Sequence, residues 1–163
     1  GVDKIWDFNE ESSLTYARKG DLVGFINGKG EWVIKPMFEK VRAFSNGMAP
    51  VYNGKAWGYS NEQGEMVIEY QYADAEVFSE SGLAPIKVKD WGFIDKKGKL
   101  VIPANYGIST GASIFGLQSD KGFTNGLARV KYKKQWGFID TQGNPIGNKW
   151  FQNAEPFSVP AKK

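Results

Sequence analysis

The sequence predicts an all-β chain made of four successive three-stranded antiparallel meanders, and three observations predict it. First, a twelve-residue string recurs: WGYSNEQGEMVI begins at Trp57, WGFIDKKGKLVI at Trp91, WGFIDTQGNPIG at Trp136, and a degenerate VGFINGKGEWVI at Val23. The copies start 34, 34 and 45 residues apart. Second, Ala84, Ile86 and Val88 alternate with Pro85, Lys87 and Lys89, as Ala128, Val130 and Tyr132 do with Arg129, Lys131 and Lys133. That period of two is the mark of a half-buried strand. Third, 15% aromatic residues and 20 glycines suit many short strands joined by tight turns. A 34-residue period also occurs in helical tetratricopeptide arrays. Here, however, Gly stands at the second and eighth positions of each copy, and no stretch of roughly 10 to 12 residues carries helical apolar spacing.

The elements follow in order within each unit. In the last copy a strand around 127–133 turns at Lys134 and Gln135 into Trp136 to Asp140. It turns again at Thr141, Gln142 and Gly143, and returns from Asn144 to about Lys149. Complete meanders are expected at 14–36, 48–70, 83–105 and 127–150. The connectors between them carry an aromatic fifteen positions after the core begins (Phe38, Tyr72, Tyr106, Phe151) and a second Phe at 44, 78, 123 and 157. Only the third copy breaks step, because Tyr106 and Phe123 are 17 residues apart where the other copies have 6; one 11-residue insertion within 107–122 accounts for it. The whole of 1–163 then reads as a single repeat domain, an elongated solenoid-like array. A small four-bladed, propeller-like ring is the alternative, since the last half-connector could pair with the N-terminal segment. Half-connectors at both ends are expected either of a piece of a longer array or of four units whose ends cap it.

Composition narrows the chemistry. At 163 residues, 41% apolar and 24% charged, the chain has the size and balance of one globular domain. Without His or Cys it cannot form a Ser-His-Asp or Cys-His nucleophile, a Cys/His zinc site or a disulfide. No apolar run approaches the ~20 residues of a membrane-spanning helix, and residues 1–20 hold no basic segment followed by an apolar one. Charge is uneven: residues 1–82 hold 8 Lys/Arg against 13 Asp/Glu, residues 83–163 hold 13 against 5. Such a gradient favours an acidic partner on the basic half, or weak head-to-tail self-association. Nucleic acid is not expected, because no nucleic-acid-binding motif is present.

Each recurring residue has a structural role to fill. Trp57, Trp91 and Trp136 open the middle strands and are expected to pack, with exposed platforms for sugars or peptides as the alternative. Gly58, Gly92 and Gly137 lie inside strands, where Gly normally costs stability, which implies a ring or another backbone pressed close. Asn27, Asn61, Asp95 and Asp140 each precede a turn Gly by three residues, the pattern of Asx turns rather than of a paired-carboxylate site or a calcium loop. Trp6, Trp32 and Trp150 stand off the repeat register and are candidates for a partner-binding surface. The insertion offers Ile114, Phe115 and Leu117 among small residues, which reads either as a neutral surface insertion or as a binding loop.

The recurring Trp-Gly-aromatic-Ile-Asp core resembles the WG-repeat (KWG-repeat) family, together with Gly at its eighth position, Val-Ile after it and the Phe-Ser connector. The resemblance runs from about Leu14 to Ser158. Departures are Val23 for Trp, Ser60 for Ile, Asn27 and Asn61 for Asp, and Gly147 where the other copies carry Ile, so the outer units look atypical, as capping repeats do. The resemblance implies a bacterial, often extracytoplasmic protein without an assigned catalytic activity, and it transfers no catalytic residue, cofactor or metal site. The expected function is a noncatalytic repeat module that binds or scaffolds another protein at the cell envelope. A carbohydrate-binding module using exposed aromatics is the alternative.

Overall fold

Turns rich in Gly, Asn and Asp fold each repeat core into its own antiparallel sheet. The computed structural model describes residues 1–10, 12–108, 122–148 and 150. Unit 1 contains β1 (Lys4–Ile5), β2 (Thr15–Lys19), β3 (Leu22–Ile26) and β4 (Trp32–Phe38), paired in that order. Unit 2 repeats the arrangement with β5 (Lys40–Val41), β6 (Met48–Tyr52), β7 (Trp57–Asn61) and β8 (Met66–Tyr72). Unit 3 does so with β9 (Asp74–Ala75), β10 (Ala84–Lys87), β11 (Trp91–Ile94) and β12 (Leu100–Tyr106). Unit 4 has β13 (Phe123–Thr124), β14 (Leu127–Tyr132) and β15 (Gln135–Asp140). The all-β repeat array expected from the sequence is therefore the observed fold.

Two details differ from the three-stranded expectation. In units 1 to 3 a fourth strand of two residues, drawn from the connector or the N-terminal segment, pairs with the first meander strand: Lys40 and Val41, for example, lie opposite Tyr52 and Val51. Unit 4 keeps only a bridge of that strand, between Gly107 and Lys131. Its predicted return strand from Asn144 is likewise reduced to a bridge between Ile139 and Pro145, followed by a 3-10 turn over Ile146–Asn148. Pro145 has no N–H to give a ladder, and Gly147 adopts φ 65°, a left-handed conformation that leaves the strand path.

The core is distributed among unit interfaces. One cluster joins Leu14, Phe25, Ile34 and Phe38 of unit 1 to Phe44, Ala49 and Val51 of unit 2. A second joins Trp57, Tyr59, Ile68 and Tyr72 to Phe78, Ala84, Ile86 and Ile94. A third joins Trp91, Phe93 and Ile102 to Phe123, Ala128, Val130 and Ile139. Four units thus share three buried interfaces, and among the described residues no buried cluster joins the fourth unit to the first. Burial along the strands agrees with a row. Strands β6, β7, β10 and β11 in the middle units are buried on both faces, whereas β14 and β15 in unit 4 alternate between buried and part-exposed. Pro85, expected to face outward, is covered, and the chain entering unit 4 passes beside it: a Cβ on Gly122 would stand 3.4 Å from the Pro85 ring.

The strand glycines answer to a backbone contact. Pairing of β7 with β8 passes from Trp57–Tyr72 to Tyr59–Ile68, so the third strand bulges between these pairs, and the same irregularity recurs in units 1 and 3. The bulged backbone leans onto the middle strand. A Cβ on Gly58 would stand 2.6 Å from the Ile68 carbonyl oxygen, and one on Gly92 2.7 Å from that of Ile102. On Gly24 it would meet the Ile34 oxygen in the same way. A second repeated approach lies between units: a Cβ on the turn glycine of the next unit, Gly64, Gly98 or Gly143, would stand 3.3–3.4 Å from the side chain of Ile34, Ile68 or Ile102.

Candidate functional site

The Asx turns come first, because they dispose of the carboxylates that chemistry would need. In every unit the side-chain oxygen of the Asx residue accepts two backbone N–H groups: Asn27 from Lys29 and Glu31, Asn61 from Gln63 and Glu65, Asp95 from Lys97 and Lys99, Asp140 from Gln142 and Asn144. The distances lie between 2.8 and 3.1 Å. The exchange of Asn for Asp follows the residue four positions on. Where that residue is Glu31 or Glu65, the Asn amide donates to its carboxylate; where it is Lys99 or Asn144, an Asp stands instead. An Asp opposite Glu would set two like charges together. Backbone donation from Asn144 is the main force holding the Asp140 carboxyl below the ordinary carboxylate range.

An open cleft of about 640 Å³ crosses units 1 to 3. Three aromatic side chains of the meanders reach it, Tyr16 from β2, Tyr52 from β6 and Trp57 from β7, and Trp6 follows the end of β1. Their rings pair, Trp6 with Tyr16 at 4.7 Å between centroids and Tyr52 with Trp57 at 5.3 Å. Cations occupy further faces: Lys4 over Trp6 at 4.6 Å, Lys40 over Tyr52 at 5.4 Å and Arg42 over Trp57 at 4.8 Å. Arg42 also straps unit 2 to unit 3. Its Nε donates to the Ala75 carbonyl at 2.9 Å, and its Nη2 reaches Asp74 at 3.1 Å and the buried Glu76 at 3.5 Å.

What remains open to a ligand is polar and of both signs. Arg18, Asp21, Glu39 and Lys40 line the cleft, are exposed, and belong to no ion pair among the described residues. Burial raises the Tyr16 phenol above its ordinary pKa. Tyr59, deeper in the unit 2–3 interface, is pushed up further, chiefly by burial, and donates to the Glu76 carbonyl at 2.8 Å. It is a packing residue, not part of the cleft wall.

The residues singled out in the sequence divide among different places. Trp57 and Trp91 are buried, as packing requires, and Trp136 is part-exposed, with Arg129 and Lys131 over its ring at 5.2 and 5.6 Å. Gly58 and Gly92 occupy the close approach described above. Trp6 lines the cleft; Trp32 is half-buried on β4; Trp150 packs beside the unit 3–4 cluster, 5.7 Å from Tyr132. The three off-register tryptophans therefore do not form one surface. Ile114, Phe115 and Leu117 lie outside the described residues. Sequence reasoning missed Arg42, Glu39 and Asp21. The cleft is built from non-equivalent positions of three units, which a repeat alignment does not bring together.

Among the described residues no helix is long and apolar enough to cross a membrane. The sequence model of the WG-containing repeat matches residues 24–55, 57–90, 91–107 and 136–158, more than half of the chain, and the chain belongs to that family. No curated protein and no solved structure compared with it gives a match.

Proposed function

We propose that this WG-repeat chain is a noncatalytic interaction module, and that its cleft across units 1 to 3 takes an extended segment of another protein. The observation that carries this reading is the state of the cleft aromatics. Each ring is engaged by a neighbouring ring, a cation or both, and the groups left open are Arg18, Asp21 and Glu39. A sugar ring would need a bare aromatic face to stack upon, whereas a peptide carrying charges of both signs finds partners for each. Quasi-identical units spread contact over a long surface, which suits binding more than chemistry concentrated at one place. Placement at the bacterial cell envelope rests on the family resemblance.

The test is capture of partners by the intact chain and by the double variant Asp21→Arg/Glu39→Arg, with a glycan array beside it. Both positions are exposed, so thermal unfolding should move little. We expect a captured protein whose recovery falls at least tenfold in the variant, and no glycan signal. Recovery unchanged by the variant, or glycan binding abolished by Trp6→Ala with the fold intact, would overturn the assignment.

A further inference from the structure

The chain holds four Asn-Gly pairs, Asn27-Gly28, Asn46-Gly47, Asn53-Gly54 and Asn125-Gly126. In such a pair the glycine amide nitrogen, with no side chain beside it, can attack the carbonyl carbon of the Asn side chain. A C–N bond forms there, the bond to the side-chain nitrogen breaks, and that nitrogen leaves as ammonia with the proton of the attacking amide. Water then opens the five-membered imide left in the backbone, at one carbonyl to give Asp and at the other to give isoaspartate. No co-reactant but water is needed. The four pairs are alike in sequence, and the fold separates them.

Three of the side chains are held. Asn27 and Asn53 each accept two backbone N–H groups on the side-chain oxygen, and the Asn27 amide also donates to Glu31. Asn46 is held across a unit interface: its amide donates to the Ser79 carbonyl and its oxygen accepts from Lys96, both at 3.3 Å and both from unit 3. Asn125 is the counterpart of Asn46 in its backbone. Each opens the two-residue turn of a hairpin in the left-handed conformation, at φ 55° and 52°, followed by Gly at φ 77° and 76°. No atom comes within 4 Å of a would-be Cβ on Gly47 or Gly126. The difference lies in what holds the amide: Asn125 is exposed, and among the described residues its side chain has no hydrogen-bond partner.

We propose that Asn125 is a site of spontaneous deamidation in the folded protein, and that its isoaspartyl product loosens unit 4 from unit 3. The turn joins β13 to β14, setting Thr124 opposite Leu127 and Phe123 opposite Ala128. Phe123 is buried with its ring 4.9 Å from that of Phe93 in unit 3. Isoaspartate carries the backbone through the side-chain carbon and so lengthens a turn whose two residues fix the strand register. The Asp product keeps the backbone length and tolerates the left-handed conformation, so it adds only a negative charge.

Peptide mapping of the intact chain, incubated folded at mildly alkaline pH and sampled over time, tests this. Hydrogen bonds must break before a held amide can turn toward the next nitrogen, so Asn125 should convert at least about tenfold faster than Asn27, Asn46 and Asn53. In denaturant that lead should vanish. Lys96→Ala removes one of the two partners of Asn46 and should speed conversion there about threefold or more. The isoaspartyl fraction, separated by ion exchange, should melt below the fresh chain, whereas Asn125→Asp should melt with it. Equal rates at Asn46 and Asn125 in the folded chain would overturn the site, as would a lead for Asn125 that persists in denaturant. An isoaspartyl fraction that melts with the fresh chain would overturn the loosening.

Discussion

At Asp140 a hairpin, a charge and a repeat rule meet in one side chain. Its Oδ1 accepts from the backbone N–H groups of Gln142 and Asn144, and its Oδ2 from the Asn144 amide at 3.1 Å. These bonds favour the ionised form and lower its pKa. The linkage has a definite sign: a carboxyl depressed in the folded state contributes stability above its unfolded pKa and loses it as pH falls through the folded one. Asp140→Asn keeps a turn that Asn27 and Asn61 already make, so the variant should fold. Wild type should be the more stable at neutral pH, with the difference shrinking below about pH 4 in urea unfolding across a pH series. A difference that persists unchanged to pH 2 would show that ionisation of Asp140 contributes nothing. The Asx role was legible from Gly three residues on. The link between Asn and Glu, Asp and Lys or Asn, was present in the sequence but needs the folded hairpin, where residues four apart face each other.

Among the elements, the third strand of each unit shows what the Trp-Gly pair is for. Strand β8 bulges between its pairings to Trp57 and Tyr59, and the bulge fits only because Gly58 has no side chain. The buried Trp57 ring sits one residue before it, with Tyr52 and Arg42 against it, so the motif couples a large ring with a bare backbone. Gly58→Ala would drive a Cβ into the Ile68 carbonyl and the Glu69 backbone and should cost about 1–3 kcal/mol or more. Gly28→Ala, in a turn with nothing near its would-be Cβ, should stay within about 0.5 kcal/mol. Denaturant midpoints of the two variants decide the matter, and equal midpoints would refute the close-approach explanation. A glycine recurring inside strands announced that approach in the sequence. The two-residue strands did not announce themselves, because Lys40–Val41 and Asp74–Ala75 are too short to show alternation. Nor did the loss of the last return strand, although Gly147 was visible as a departure: only its positive φ shows that the chain leaves the strand path there.

For the whole molecule, closure is the question the repeat alone left open; the half-connector at 151–158 that would close a ring lies outside the described residues, and the described units form an open row. A ring of four units needs four buried interfaces, and the described residues supply three. Middle strands are covered on both faces while β14 and β15 are covered on one, and the approach of Ile to turn glycine runs from unit 1 to unit 4 without returning. Sequence could reveal the copies but not whether the last meets the first, since a row and a ring share one local pattern and differ only in the rotation from unit to unit. Small-angle scattering separates them. A compact 163-residue chain would have a radius of gyration of about 15 Å; the open row should exceed this and give a pair-distance distribution with a long tail. A radius near 15 Å with a symmetric distribution would mean that the ends meet. The polarity of the array, acidic at one end and basic at the other, would then be lost.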